Sequence, residues 1–337
     1  MNRTTITPFH KEFLIECIFN QGSSYRFFTV GASVVQWISP HNTNLVAGYY
    51  DLNTYGSGGL YLGTTIGPTA GRIENSQFTL NNHRYQLDNK KHHYLHGGLK
   101  GIHTISFQLE SVVDQQDSSI ITFHTKYQHD VIPGVISLDV IYECTSKSLT
   151  IRYHATSTED TVLNLTNHSY FSLLGNYEHD LYQHSLEIDS SNVILVDYGI
   201  IGREILEVKD TCFDFTSKKQ LSQAMLDPVL LHQSSKGVDH CFLLDHRSEN
   251  CLKLYANSSP YILVMKTSYP ALTLYTSNYL KDQLIHTHKT LGLHGAIAIE
   301  PHYPSNGIND SRFHSCILKT GERYQHFISY QLQEENE

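Results

Sequence analysis

The feature that most constrains this chain is a side-chain period of two. Leu149, Ile151, Tyr153 and Ala155 alternate with Thr150, Arg152 and His154. Leu138, Val140 and Tyr142 alternate with Asp139, Ile141 and Glu143, and Ile121, Phe123 and Tyr127 stand opposite Thr122, His124 and Lys126. Successive side chains of a strand point to opposite faces, so these runs each present one apolar face and one wet face. Further β-rich runs occupy Tyr25–Val30, Val34–Ile38, Cys251–Ala256, Tyr261–Lys266, Ala271–Thr276 and Tyr324–Tyr330. Phe78–Leu87 reads as a hairpin turning at Asn81 and Asn82. Helical patterns are confined to Ser217–Gln223 and a turn at Pro228–His232. Short strands broken by Gly, Asn, Ser and Pro predict an all-β fold, a sandwich or barrel rather than βαβ units.

With 337 residues the chain is long enough to bury a core without disulfide or metal staples. Neither an internal repeat nor a linker divides it, so residues 1–337 are expected to form a single β-sandwich domain. Long loops are expected around Gly48–Gly71, His92–His103 and Ser305–Ser315, where a ligand would sit.

Charge narrows the function. Lys and Arg total 24 against 33 Asp and Glu, giving −9 with neutral histidines. That balance disfavours a nucleic-acid binder or a coat on anionic lipid, which both need a concentrated basic face. No apolar run is long enough to span a bilayer, and Lys11, Glu12 and Glu16 interrupt the apolar residues of the N-terminus. A cytoplasmic location is therefore expected, with no membrane partner. The six cysteines (17, 144, 212, 241, 251 and 316) form no C-x-x-C pair and read as reduced, buried small hydrophobes.

Several devices are missing. There is no phosphate-cradling G-x-x-x-x-G-K-[ST] loop and no G-x-S-x-G elbow, and Gly56-Ser-Gly-Gly59 lacks the context of a dinucleotide loop. His92, His93 and His96 could suggest a metal, but Gly97 and Gly98 follow at once and no acidic ligand is adjacent. Loop or surface histidines are the default there, and no metal is expected.

Five short segments carry candidate chemistry. Gly67-Pro-Thr-Ala-Gly-Arg-Ile73 ends a glycine-punctuated turn on Arg72; Leu95-His-Gly-Gly98 sets His96 beside two glycines; Asn167-His-Ser-Tyr-Phe171 holds His168. Val238-Asp-His-Cys-Phe242 puts Asp239 at the start of a strand, and Ala296-Ile-Ala-Ile-Glu-Pro301 leaves Glu300 alone in an apolar run. Taken singly, Arg72 reads as a solvated charge, His96 and Asp239 as turn caps, and His168 as a hydrogen-bonded core histidine. Glu300 resists a bland reading. A strand ending there places its carboxyl in a low-dielectric setting and raises its pKa, as a general base near neutrality requires.

In this order and at these separations, the five segments resemble the galactose mutarotase (aldose 1-epimerase) family, from about Gly31 to Tyr330, with Tyr269–Asn278 similar to the family's proline–tyrosine–threonine–x–asparagine strand. The resemblance implies a large antiparallel β-sandwich, often called a supersandwich, with a monosaccharide in an open cleft. It implies cofactor-free interconversion of the α and β anomers of an aldohexose such as galactose or glucose. Glu300 matches the family's general base and His168 its general acid; Arg72, His96 and Asp239 match its sugar-positioning residues. Departures stand at Pro68, where many members carry an extra arginine, and at Ile105–Phe107, where a tryptophan is common. Thr273 and His302 replace usual glutamines. Phe171 or Tyr303 is expected to supply a stacking face. The competing expectations are a non-catalytic sugar binder on the same scaffold and a hexose-phosphate 1-epimerase. The first needs no proton-transfer pair, and the second needs more cations than Arg72 alone.

Overall fold

The computed structural model describes residues 3–88, 92–232, 235–280, 282–313 and 316–335. It is built from antiparallel sheets, as the alternation predicts. The largest has nine strands; its backbone runs Gln108–Asp114, Ser118–Gln128, Val135–Thr145 and Ser148–Ser157, and then accepts Tyr324–Glu334 before Tyr261–Thr267. The strand last in chain order among the described residues thus lies in the interior of the sheet, bonded on both sides. A four-stranded sheet is made by Arg3–Phe9, Glu12–Ile18, Ser24–Phe28 and Ser33–Ile38.

A six-stranded sheet carries the candidate residues Asp239 and Glu300. Its order is Tyr170–Phe171, Ile297–His302, Ala271–Tyr275, Asp239–Leu243, Asn192–Val196 and Gly202–Glu207. Alternation divides these strands cleanly. Ile297, Ile299, Leu272, Leu274, Phe242 and Val193 join one core with Phe123, Val140, Tyr142 and Tyr153 of the nine-stranded sheet. Each such side chain contributes about 1.5–3 kcal/mol by leaving water. The Tyr330 hydroxyl donates to the Ile299 carbonyl at 3.0 Å, fastening the two sheets together. The opposite face of the six-stranded sheet is thereby left free to line a cleft.

Local expectations meet their physical tests. Asn81 and Asn82 both take positive φ, +50° and +61°, as a two-residue hairpin turn between Gln77–Leu80 and His83–Gln86 requires. The helix expected at Ser217–Gln223 instead covers Leu221–Met225, because Lys219 and Gln220 pair with Leu186 and Ser185 as an edge strand. The turn at Pro228–His232 is helical. The expected loops are partly ordered into short ladders, Thr65–Ile66 with Thr166–Asn167 and Arg72–Ile73 with Tyr94–Leu95; Ser315 lies outside the described residues. All six cysteines are free, and only Cys212 is less than buried. Among the described residues no helix is long and apolar enough to cross a membrane.

Candidate active site

A cleft of about 390 Å³ opens over the free face of the six-stranded sheet, and Arg72, His96, His168, Asp239 and Glu300 all line it. Each arrives by a different route. The Arg72–Ile73 strand pairs with Tyr94–Leu95, so Arg72 faces Leu95 across a two-residue ribbon. At the ribbon's end the Gly71 N–H donates to His96 Nδ1 (3.2 Å) while the His96 N–H donates to the Gly71 carbonyl (3.0 Å). This fixes the imidazole ring and its tautomer: with Nδ1 accepting, the proton of neutral His96 sits on Nε2. His168 is aimed by its neighbour. Asn167 accepts from the Ser169 N–H and hydroxyl and donates to the Gly63 carbonyl, a local turn that holds the segment in place.

Glu300 and His168 meet. His168 Nε2 lies 3.3 Å from Glu300 Oε1, with both side chains about 5% exposed or less. The outer atoms of the pair, His168 Nδ1 and Glu300 Oε2, are buried without a hydrogen-bond partner. Burial drives both groups toward neutrality. It pushes the His168 imidazole down to about 3. It also pushes the Glu300 carboxyl well above the usual carboxylate range, the nearby Asp239 adding to the rise and Arg72 opposing it. Burial thus favours the neutral imidazole beside the protonated carboxyl, with one proton between them. Asp239 is buried too, and its carboxyl is raised to about 6 against the pull of Arg72. His96 falls well below its ordinary value through burial and the neighbouring His168 and Arg72.

Three of these side chains, His96, His168 and Glu300, bring ligand-type atoms within 4.8 Å of one another. A metal would need a lone pair from His96, yet Nδ1 is occupied by the Gly71 N–H and Nε2 carries the proton. The trio is thus dressed for hydrogen bonding. His92 and His93, the other members of the histidine run, lie tilted against each other at 4.3 Å, and His93 Nδ1 accepts from the Asn75 N–H.

The aromatic wall is not the one the sequence suggests. Phe171 is fully buried against Tyr330 (4.7 Å), and Tyr303 packs edge-on to Tyr269 (5.9 Å) while bonding His326; neither lines the cleft. One residue earlier on the strand, Tyr170 points the other way and lies 5.0 Å from His168. Tyr61 stands against both histidines, 5.0 Å from His96 and 5.7 Å from His168. Tyr61 and His96 have φ of +56° and +52°, a sparsely populated conformation for such residues and one concentrated at functional sites. Tyr275 and Tyr279 complete the aromatic lining. Of the departures, Thr273 and His302 line the cleft, whereas Phe107 is buried in the core. His302 Nδ1 is taken up by the Tyr303 carbonyl, leaving Nε2 as an acceptor.

Comparison with known proteins places the chain in a family. Residues 14–331 match the family model described as aldose 1-epimerase. Galactose mutarotase of Sus scrofa is 28% identical over 289 residues, covering 84% of this chain and 82% of the relative. Aldose 1-epimerase of Haemophilus influenzae is 30% identical over 280 residues, covering 81% of each. A crystal structure of an aldose epimerase homologue from C. elegans superposes with a TM-score of 0.84 at 27% identity, covering 99% of this chain and 100% of that one. With the family matched across nearly its whole length, the chain belongs to the aldose 1-epimerases.

Proposed function

We propose that this chain interconverts the α and β anomers of an aldohexose, with Glu300 and His168 as the proton-transfer pair and Arg72, His96 and Asp239 as the groups that hold the ring. The observation that carries this reading is the 3.3 Å approach of the imidazole to the carboxyl, both side chains buried and both lining the cleft. Opening a pyranose removes the proton from the C1 hydroxyl and supplies one to the ring oxygen. With the shared proton on His168, Glu300 takes the hydroxyl proton while His168 protonates the ring oxygen. The open-chain aldehyde then faces a protonated Glu300 and a neutral His168, the arrangement that burial already favours. Rotation about C1–C2 and closure on the other face reverses both transfers and restores the starting state. No net proton is consumed, which suits a pair that holds one proton throughout. Each general acid or base contributes about 10²–10⁴-fold. Arg72 lowers the cost of the Glu300 carboxylate, and His96 Nε2–H and Asp239 meet ring hydroxyls as donor and acceptor.

The test follows the optical rotation of freshly dissolved α-galactose and α-glucose with and without protein. A relaxation faster than the spontaneous one is expected for at least one sugar; unchanged relaxation for both defeats the proposal. The pH profile gives a second check. Asp239 is ionised above about 6, so kcat/KM falls as pH drops through that value. Asp239→Asn removes this acid limb. It also moves the alkaline limb to lower pH, because Asp239 is one of the charges that raise Glu300. An unmoved profile would exclude Asp239 from the binding of sugar.

A further inference from the structure

One row of cleft-lining residues changes from polar to apolar along its length, and strand order sets its direction. The Ile297–His302 strand has two neighbours: Tyr170–Phe171, just beyond His168, and Ala271–Tyr275 on the opposite side. Register aligns Glu300 with Thr273, Thr273 with Cys241, and Cys241 with Ile194. All four line the cleft, so they form one row stepping away from His168, one strand at a time. Neighbouring strands lie about 4.8 Å apart.

That row has a consequence for the sugar. In an aldopyranose, C1 is bonded to the ring oxygen on one side and to C2 on the other. With the ring oxygen toward His168, C2 is directed toward Thr273 and its substituent toward Cys241 and Ile194. The polarity of the row changes along its length. Thr273 Oγ1 is buried, with the neighbouring Cys241 thiol beside it. Cys241 is held as an inert thiol, raised by burial to about 12, and Ile194 is 2% exposed. Val196 and Gly202 extend the apolar surface, and a Cβ on Gly202 would come within 2.6 Å of Ile194 Cγ2. A hydroxyl on C2 reaches Thr273 and leaves the apolar lobe facing water. An acylamino group matches the order of the row, with its amide beside the ring and its methyl beyond.

We infer that the site takes 2-acylamino-2-deoxyaldohexoses as substrates, the amide meeting Thr273 and the acyl methyl filling the lobe made by Cys241 and Ile194. This rests on the anomer-interconverting reading above and extends it to a substrate class. The experiment compares freshly dissolved α-N-acetylglucosamine and α-N-acetylgalactosamine with α-glucose and α-galactose, following the anomeric proton signals by NMR. The expected result is a kcat/KM for an acetamido sugar at least equal to that of its parent hexose. Thr273→Gln, which pushes a longer side chain into the lobe, should lower the acetamido-to-parent ratio by about tenfold or more, the usual effect of adding or removing a methylene in a pocket. Ile194→Phe fills the lobe from the far side and should lower the same ratio, an independent check if the first variant does not fold. Acceleration of the parent hexoses with acetamido sugars left at the spontaneous rate overturns this inference and leaves the epimerase reading standing. Equal loss on both sugar classes in the variants overturns the lobe assignment. Acceleration of neither class removes the reaction and the inference with it.

Discussion

Glu300→Gln is expected to lower kcat by about 10²–10⁴-fold, while isothermal titration still registers sugar binding. Glutamine keeps the shape and removes the proton acceptor, so the loss falls on the chemical step and spares the contacts made by Arg72, His96 and Asp239. Near-normal turnover would assign the base elsewhere. The same substitution has a second, less intuitive outcome. The Glu300 carboxyl is raised above its ordinary 4.5 in the folded chain, so the native state holds a proton that the unfolded chain releases. Stability therefore falls as pH climbs from about 4.5 upward. Glutamine does not titrate. Thermal denaturation of the variant and the parent should converge near pH 4 and separate at higher pH, with the variant more stable. A constant difference across pH would show that Glu300 is not strained by burial.

Gly97→Ala is the second large effect, and it acts on structure. Gly97 takes φ +81°, and a Cβ there would sit 2.1 Å from the Gly67 carbonyl oxygen and 2.7 Å from Gly101 Cα. Both neighbours are backbone, so no side-chain rotation relieves the clash. A left-handed alanine costs about 1–2 kcal/mol, and overpacking adds about 1–3 kcal/mol. The expected destabilisation of about 2–5 kcal/mol lowers Tm by several degrees. Because Gly97 directly follows His96, kcat/KM should fall even at temperatures where the variant is folded. A variant with parental Tm and activity would show that this turn relaxes freely.

The sequence carried much of this architecture because side-chain alternation is a local signal. The strands at Ser118–Gln128, Val135–Thr145 and Ser148–Ser157 are long and one-sided, and their apolar residues face the core as the pattern requires. Glu300 was legible for the same reason, an acid in a run otherwise too apolar to tolerate one. The remaining site was less so. Arg3–Phe9 and Gly202–Glu207 are largely exposed and alternate weakly, so no one-sided apolar pattern marks them as strands. The expected stacking residue Phe171 misses the cleft by one position, because face is set by pairing with Ile297–His302, a segment far along the chain. Tyr61 gave no sequence signal beyond a tyrosine in a glycine-rich stretch, since its role follows from a left-handed backbone and from histidines supplied by two other segments. Cys241 and Ile194 join Glu300 through the register of strands that are not consecutive, which composition and periodicity leave unspecified.

The interior position of Tyr324–Glu334 bears on how the molecule is made. A ribosome delivers this segment after the strands it must join, Ser148–Ser157 and Tyr261–Thr267. Until it emerges, both of those strands present unsatisfied ladder edges, the surfaces most prone to pair with another nascent chain. Closure also awaits contacts between residues far apart along the polypeptide, which folds slowly. The window of greatest vulnerability is accordingly the interval between synthesis of Tyr261–Thr267 and emergence of Tyr324–Glu334, when the largest sheet is still split in two.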